Sequence, residues 1–406
     1  MELVTRDQIA AADELLAPVI RRTPMLASRV LSKRCGHDVW LKCENLQRTG
    51  SFKPRGAYNR IANLTAEQRA GGVVAASAGN HAQGVAWAAT ELGITSTVFM
   101  PVGAPLPKLV ATRAYGATVH LHGHSVDDAL VAAREFADAT GAVLIHPFDH
   151  ADVVAGQATV GLEILEQLPE VGTIVVPTGG GGLLAGIAAA VRDSGRAVRL
   201  VGVQAEQAAA WPGSLAAGEP VAAPALSTMA DGIAVGLPGR VPFAHVTELV
   251  DEVVTVSEDA LSRALLLCSE RAKLIVEPAG AAAIAALMSC PAESLRLEGP
   301  VCAVLSGGNI DPLLLTHVIT HGLRAAGRYL AVRVTIPDRP GGLVRLLGAV
   351  SAIEASVVDV VHSRTARDLG LDEVEVLLTL ETRGPDHRDE VLGALEAAGY
   401  AVRVQE

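Results

Sequence analysis

The chain has 406 residues, half of them hydrophobic and 19% charged, enough apolar material for two or three packed domains and too much for wholesale disorder. A net charge of −11 repels phosphate backbones and anionic lipid, and 3% aromatic residues leave few platforms for stacked bases. Neither nucleic acid nor a membrane surface is expected as a partner.

In chain order, the N-terminus carries Glu2, Arg6, Asp7, Asp13 and Glu14 and so lacks a signal peptide's apolar stretch. Strand-like runs then alternate with helical patterns. Val73–Ala76 precedes a helix near His81–Leu92, and Thr95–Met100 precedes one near Leu106–Tyr115. Ala117–Leu121 leads to Val126–Thr140, Thr173–Val176 to Leu183–Asp193, and Val198–Val203 and Val301–Leu305 are further strands. Such alternation predicts an α/β fold with parallel sheets covered on both faces. The uncharged stretch Val171–Val191 has the length of a membrane span, but Pro177, Gly179–Gly182 and Gly186 interrupt it; strand, glycine loop and helix fit better. Cys35, Cys43, Cys268, Cys290 and Cys302 are scattered and never spaced as Cys-x-x-Cys. This argues for a reducing compartment, the cytoplasm, and against a zinc site.

The last 77 residues hold 21 of the 77 charged side chains and no lysine, a shift in composition that marks a second domain. Their order is strand (Leu330–Ile336), turn (Asp338-Arg339-Pro340-Gly341), helix (Leu343–Ile353), two strands (Ser356–Ser363, Val374–Thr382), helix (Arg388–Ala398) and strand (Tyr400–Val404). That is a βαββαβ, ferredoxin-like unit, though a plain packing extension would share the pattern. A linker falls at 322–329.

Only five lysines occur: Lys33, Lys42, Lys53, Lys108 and Lys273. Lys33, Lys42 and Lys273 read as surface lysines; Lys108, behind Pro107 at a helix start, is harder to dismiss. Lys53 lies in Thr49-Gly50-Ser51-Phe52-Lys53-Pro54-Arg55, where Pro54 suits a first helical turn. The positive end of the helix dipole, the like charge of Arg55, and burial would all favour a neutral, nucleophilic amine. A surface lysine in a first turn is the plainer alternative. The run Gly179-Gly180-Gly181-Gly182 after a strand and before Leu183 lets several amides converge on an anion such as phosphate. Gly180-x-Gly182-x-x-Ala185 with Glu206 also matches a relaxed dinucleotide fingerprint, which keeps an NAD-dependent oxidoreductase open. Ser77-Ala78-Gly79-Asn80-His81 and Ser306-Gly307-Gly308-Asn309 each follow a strand and open a helix. The first could receive a carboxylate, though either alone reads first as a capped turn, and His81 as a capping or packing residue rather than a base.

From about Leu15 to Leu323, with the Lys53, Asn80, tetraglycine and Ser306 motifs in family order, the sequence resembles the threonine dehydratases (threonine ammonia-lyases). These are fold-type II pyridoxal-phosphate enzymes related to serine dehydratase and serine racemase. The C-terminal unit resembles an ACT domain, an amino-acid-sensing module. The resemblance implies two open parallel α/β sheets with the active site between them. The catalytic region would be 1–321, with a larger subdomain about 1–45 and 150–321 and a smaller one about 46–149, and the ACT domain 330–406.

The resemblance also implies roles. Lys53 would hold pyridoxal 5′-phosphate as an imine and shuttle the Cα proton; Phe52 would pack on the ring, with backbone near Gly232 on the other face. Asn80 would bond the ring's 3′-oxygen, Gly179–Gly182 and Leu183 the phosphate, and Ser306 the pyridine nitrogen. Ser77, Ala78, Gly79, Asn80 and His81 would border the substrate. Glu277 would stand near the ring, and the cofactor phosphate would protonate the leaving hydroxide. A serine offers no countercharge to a protonated pyridinium, so the ring is a weak electron sink and prompt β-elimination is favoured over transamination. Where racemases place a metal-ligating glutamate this chain has Gln204, with Glu206 nearby, so no metal is expected and racemase activity is disfavoured.

The expected reaction is conversion of L-threonine, with L-serine beside it, to 2-oxobutanoate and ammonia. L-serine dehydratase or serine racemase is the alternative within the family, the oxidoreductase a remote one, and a non-enzymatic amino-acid sensor would need a degenerate Lys53 motif. An effector such as isoleucine or valine is expected at Gly341, in a homo-oligomer of two or four chains.

Overall fold

The computed structural model describes residues 2–290, 292–364 and 369–405, in two compact units, Met1–Leu314 and Leu315–Glu406. In the first unit the strands are β1 (Met25–Ala27), β2 (Val39–Cys43), β3 (Val73–Ala76), β4 (Ser96–Met100), β5 (Thr118–Leu121), β6 (Val143–Leu144), β7 (Thr173–Pro177), β8 (Arg199–Ala205), β9 (Glu252–Val256) and β10 (Val301–Leu305). They form two sheets, ordered β1-β2-β10-β7-β8-β9 and β5-β4-β3-β6. All pairings are parallel except that of the edge strand β1, antiparallel to β2.

The crossovers that parallel pairing demands are helices, among them α1 (Lys53–Ala62), α2 (Asn80–Glu91), α3 (Leu106–Ala114), α4 (Val126–Thr140), α5 (Ala151–Gln167) and α6 (Gly182–Ser194). Local signals set their ends: Ser125 caps α4 through the Asp128 amide, and Gly141 closes it at φ 77°, a left-handed stop that only glycine adopts cheaply. Sandwiched strands such as β3, β7 and β10 are buried at every position. One core joins Val160, Ile164, Ile174, Leu184 and Ile187 across the large sheet; another joins Ile61, Val73, Val85 and Ile145 across the small one. Open sheets of this kind leave a crevice beyond the carboxyl ends of their strands. The segments after β2, β3, β6, β7 and β10 all carry residues of interest.

One surface lysine is corrected. Lys42 lies on β2, between β1 and β10, and is fully buried. It bonds the Glu163 carboxylate, the Thr23 carbonyl at 2.9 Å and Gln167 Oε1 at 2.8 Å.

The second unit contains β11 (Tyr329–Pro337), α7 (Gly342–Ala352), β12 (Ser356–Ser363), β13 (Glu373–Glu381), α8 (Pro385–Ala397) and β14 (Ala401–Val404). The sheet is antiparallel, ordered β12-β13-β11-β14, as a ferredoxin-like βαββαβ chain requires. Strict alternation puts Val332, Val334, Val376 and Leu378 on one face, where Leu346, Val350, Val391 and Leu395 of the two helices cover them. Within 322–329 the chain is helical to Ala325, the end of the helix Pro312–Ala325, and β11 begins at Tyr329.

Candidate active site

Lys53 opens α1, with Pro54 in the first turn. The preceding turn is set by backbone: Thr49 (φ 58°) and Gly50 (φ 75°) are left-handed, Ser51 bridges Gly307, and the Phe52 amide donates to the Ser306 carbonyl at 3.1 Å. The Lys53 motif is thereby stitched to the segment after β10. Lys53 Nζ lies 5.1 Å from the Phe52 ring centroid and donates to the Pro147 carbonyl at 3.1 Å. Burial lowers this amine to about 8, against the pull of Glu277.

Arg55 is not the source of that shift, which corrects the expectation from sequence. Its guanidinium is fully buried and bonds both oxygens of Glu44 at 2.8 Å, Glu163 Oε1 at 2.7 Å and Thr159 Oγ1 at 3.0 Å. Two carboxylates thus absorb its charge.

A lysine at about 8 is roughly one-tenth neutral at pH 7, against well under a thousandth at its ordinary value. Reloading of the cofactor-free protein with an aldehyde cofactor, followed by absorbance, should therefore quicken with pH to about 8 and then level off. A rate still climbing about tenfold per pH unit at pH 9 would show an ordinary lysine.

Asn80 begins α2 and donates to Glu277 Oε1 at 2.6 Å, while Asn309 Nδ2 donates to Asn80 Oδ1 at 2.8 Å and to the Thr49 carbonyl at 2.6 Å. A Cβ built on Gly307 would lie 2.3 Å from Glu277 Oε1; a side chain there would have to displace the Glu277 carboxylate. Burial, then the charge of Asp231, raises the Glu277 carboxyl to about 7, against Lys108, the Asn80 bond and Lys53. Gly232 stands beside it, its Cβ position 3.6 Å from Glu277 Oε1. Ser306 is buried at the end of β10.

The glycine run joins β7 to α6. Gly181 is left-handed at φ 95°, and the first bond of α6 runs from the Ala185 amide to the Gly181 carbonyl, leaving the Gly182, Leu183 and Leu184 amides without helical partners. Any Cβ would be crowded: 2.4 Å from the Phe148 ring at Gly180, 2.4 Å from Trp211 at Gly181, 2.9 Å from Phe148 Cβ at Gly182 and 3.1 Å from Ile233 Cα at Gly179. Pro147 takes the Lys53 amine and the next residue, Phe148, packs on the glycines, so amine and anion cradle share one wall. A small aldehyde bearing a phosphate fits this pair of groups.

In the loop after β3, the Ser77 hydroxyl accepts from the Gly79 amide at 3.1 Å, and Ala78 is half-buried. His81 is buried with Nε2 2.7 Å from the Ile145 carbonyl, and burial lowers it to about 3, so it is a neutral packing residue. The amide of the buried Gln204 accepts from Trp211 N at 2.8 Å and braces the wall behind Gly181, while Glu206 is exposed. Sequence reading missed His146, whose Nδ1 accepts from the Asp149 amide at 2.8 Å and shapes the Pro147–Phe148 turn. It named Asn309 without a role and missed the Arg55 cluster. A proline and an aromatic side by side, just before α5, are the only sequence signal for that turn.

The profile of the family described as "Pyridoxal-phosphate dependent enzyme" matches residues 16–307. The chain is 46% identical to the L-threonine ammonia-lyase of Geobacter sulfurreducens, over 98% of both proteins. It is 44% identical to that of Thermotoga maritima, over 99% of this chain and all of that one. Among solved structures, the processed form of threonine deaminase isoform 2 from Solanum lycopersicum superposes with TM-score 0.72 at 35% identity, covering 79% of this chain and 95% of that one. Maize serine racemase gives 0.75 at 35%, covering 80% and 99%.

Proposed function

This chain belongs to the pyridoxal-phosphate dependent enzymes, and we propose that within them it is a threonine ammonia-lyase, converting L-threonine to 2-oxobutanoate and ammonia. The observation that carries the reading is the shared wall: the Lys53 amine on Pro147 and the Gly179–Gly182 cradle against Phe148. When bound, pyridoxal phosphate supplies an aldehyde carbon for an amine and a ring that withdraws electrons from the substrate Cα. Lys53 Nζ, lowered by burial, is the amine that holds that aldehyde and the base that takes the Cα proton. The Gly182, Leu183 and Leu184 amides bind phosphate at the positive end of α6, and Phe148 and Trp211 keep water from it. Asn80, fixed between Glu277 and Asn309, would hold the ring through its 3′-oxygen. Ser306, carrying no charge, would meet the pyridine nitrogen without a countercharge, which would disfavour a long-lived carbanion. In the Ser77–Asn80 loop, where the Ser77 amide donates to the Phe99 carbonyl and the Gly79 amide to the Ser77 hydroxyl, the Ala78 and Asn80 amides and the Ser77 hydroxyl would meet the substrate carboxylate.

The near full-length relatives named for threonine favour it over serine; Gln204, occupied by Trp211, weighs against the racemase alternative. The oxidoreductase reading would leave the buried Lys53 amine without a task. We further place the catalytic division at 1–45 with 150–321 and at 46–149, the linker at 322–329 and an ACT domain at 330–406. In the second unit, a cavity of about 320 Å3 lies against Asp338, Arg339, Gly341, Val344, His362 and Arg364. Gly341 holds φ 84° at the start of α7, and Arg364 bonds both Asp338 oxygens at 2.7 and 2.9 Å. A carboxylate and a guanidinium beside apolar Leu343 and Val344 suit a zwitterion with an aliphatic side chain, isoleucine or valine. A homo-oligomer of two or four chains would let that effector bias the enzyme. All five cysteines are free, which supports a reducing cytoplasm, and among the described residues no helix is long and apolar enough to cross a membrane.

The test is a product assay on the purified, cofactor-loaded protein with threonine and serine, each with and without isoleucine. Expected are 2-oxobutanoate and ammonia from threonine at higher kcat/KM than pyruvate from serine, and a rate changed by isoleucine. A higher kcat/KM for serine would overturn the substrate; no oxo acid from either would overturn the activity.

A further inference from the structure

Lys108 is the buried lysine that neither the proposed function nor the Arg55–Glu163 cluster uses. It sits in the first turn of α3, behind Pro107, where the helix dipole disfavours a cation, and it is buried. A buried ammonium in such a place needs anions. Its direct ion pair is with Asp231 Oδ2 at 2.5 Å, a side chain 53% exposed that water already reaches, and the buried Glu277 carboxyl lies near enough to feel its charge. Its other neighbour is informative. A Cβ built on Gly79 would lie 3.8 Å from Lys108 Nζ, so the ammonium stands against the Ser77–Asn80 loop at the start of α2. Asp231 in turn precedes Gly232, next to Glu277. The ammonium therefore sits at the rim of the cleft, between the amides of the Ser77–Asn80 loop and the wall that carries Glu277.

We propose that Lys108 binds the substrate's carboxylate, adding a full positive charge to the partial charges of the loop amides, and that Asp231 holds it in place until substrate arrives. The inference rests on the proposed amino-acid substrate and deepens it. The amides alone recognise any anion of the right size; an ammonium 3.8 Å from the Gly79 Cβ position makes recognition charge-assisted. The chemistry selects α-amino acids with a free carboxylate over the corresponding amino alcohols.

The test uses the cofactor-loaded full chain, titrated with L-threonine and with L-threoninol, which carries a hydroxymethyl group in place of the carboxylate, each followed by the absorbance change of the bound cofactor. For Lys108→Met, affinity for threonine should fall about tenfold or more, as expected for loss of one charged hydrogen bond, with threoninol within twofold of the unaltered protein. Lys108→Arg should restore most of the threonine affinity. Equal weakening of both ligands, or threonine binding unchanged, would overturn the proposal. If the Met variant does not load cofactor, Asp231→Asn decides: releasing Lys108 from its partner should leave threonine affinity equal or higher, and a tenfold loss would count against it. An unaltered protein that gives no absorbance response to threonine would instead contradict the proposed function.

Discussion

Lys53→Ala is expected to abolish the visible absorption of lysine-bound pyridoxal phosphate and to lower kcat/KM for threonine by about 10³-fold or more. The side chain is asked both to hold the cofactor and to move a proton, and groups that act as one unit are lost together. Stability should hardly change: the substitution gives up the amine's bond to the Pro147 carbonyl at 3.1 Å, and an alanine at the start of α1 removes the cost of desolvating an ammonium. Thermal unfolding of the cofactor-free variant next to the parent separates the two effects. Activity within tenfold of the parent would mean that another amine serves, and Lys108 would be the one to examine.

Arg55→Met is expected to act the other way, on stability first. The substitution leaves Glu44 buried with its oxygens facing no cation, and Glu163 with Lys42 alone. Burial by itself would raise the Glu163 carboxyl; Arg55 and Lys42 overrule it and hold it low, which measures how much that carboxylate leans on its partners. Breaking a buried pair from one side costs about 3–5 kcal/mol. Removing Arg55 and Glu44 together, as Arg55→Met with Glu44→Gln, leaves Lys42 and Glu163 as a neutral pair and should regain a large part of the loss. Denaturant unfolding of the three proteins checks both statements. A single variant within about 1 kcal/mol of the parent, or a double variant no better than the single one, would show that the network contributes little. Because Arg55 is two residues from Lys53, the single variant should also load cofactor more weakly.

The alternation of strand and helix was legible because each strand is an apolar run and each helix has a local start or stop, so Val126–Thr140 and Val301–Leu305 have the same bounds in sequence and structure. The loops of the candidate site were legible for a related reason. They follow strands and carry glycine where backbone segments meet, as at Gly180 and Gly307. The antiparallel edge strand β1 was not, since three residues carry no periodicity. Lys42 was misread because nothing local reveals that β2 lies between two other strands, and its partner Glu163 is 121 residues away. Separation in sequence also hid the pairing of Arg55 with Glu163, 108 residues apart, and the contact of Phe148 with the glycines. Short-range pattern fixes elements and their ends; the charges that neutralise one another across the fold are written only in the tertiary structure.

The most direct test of the account is to reduce the cofactor-loaded protein with borohydride, digest it and locate the cofactor by mass spectrometry. A single modified peptide is expected, with pyridoxyl phosphate on Lys53. The label on any other of the five lysines, or no label in a protein that still turns over threonine, would contradict it.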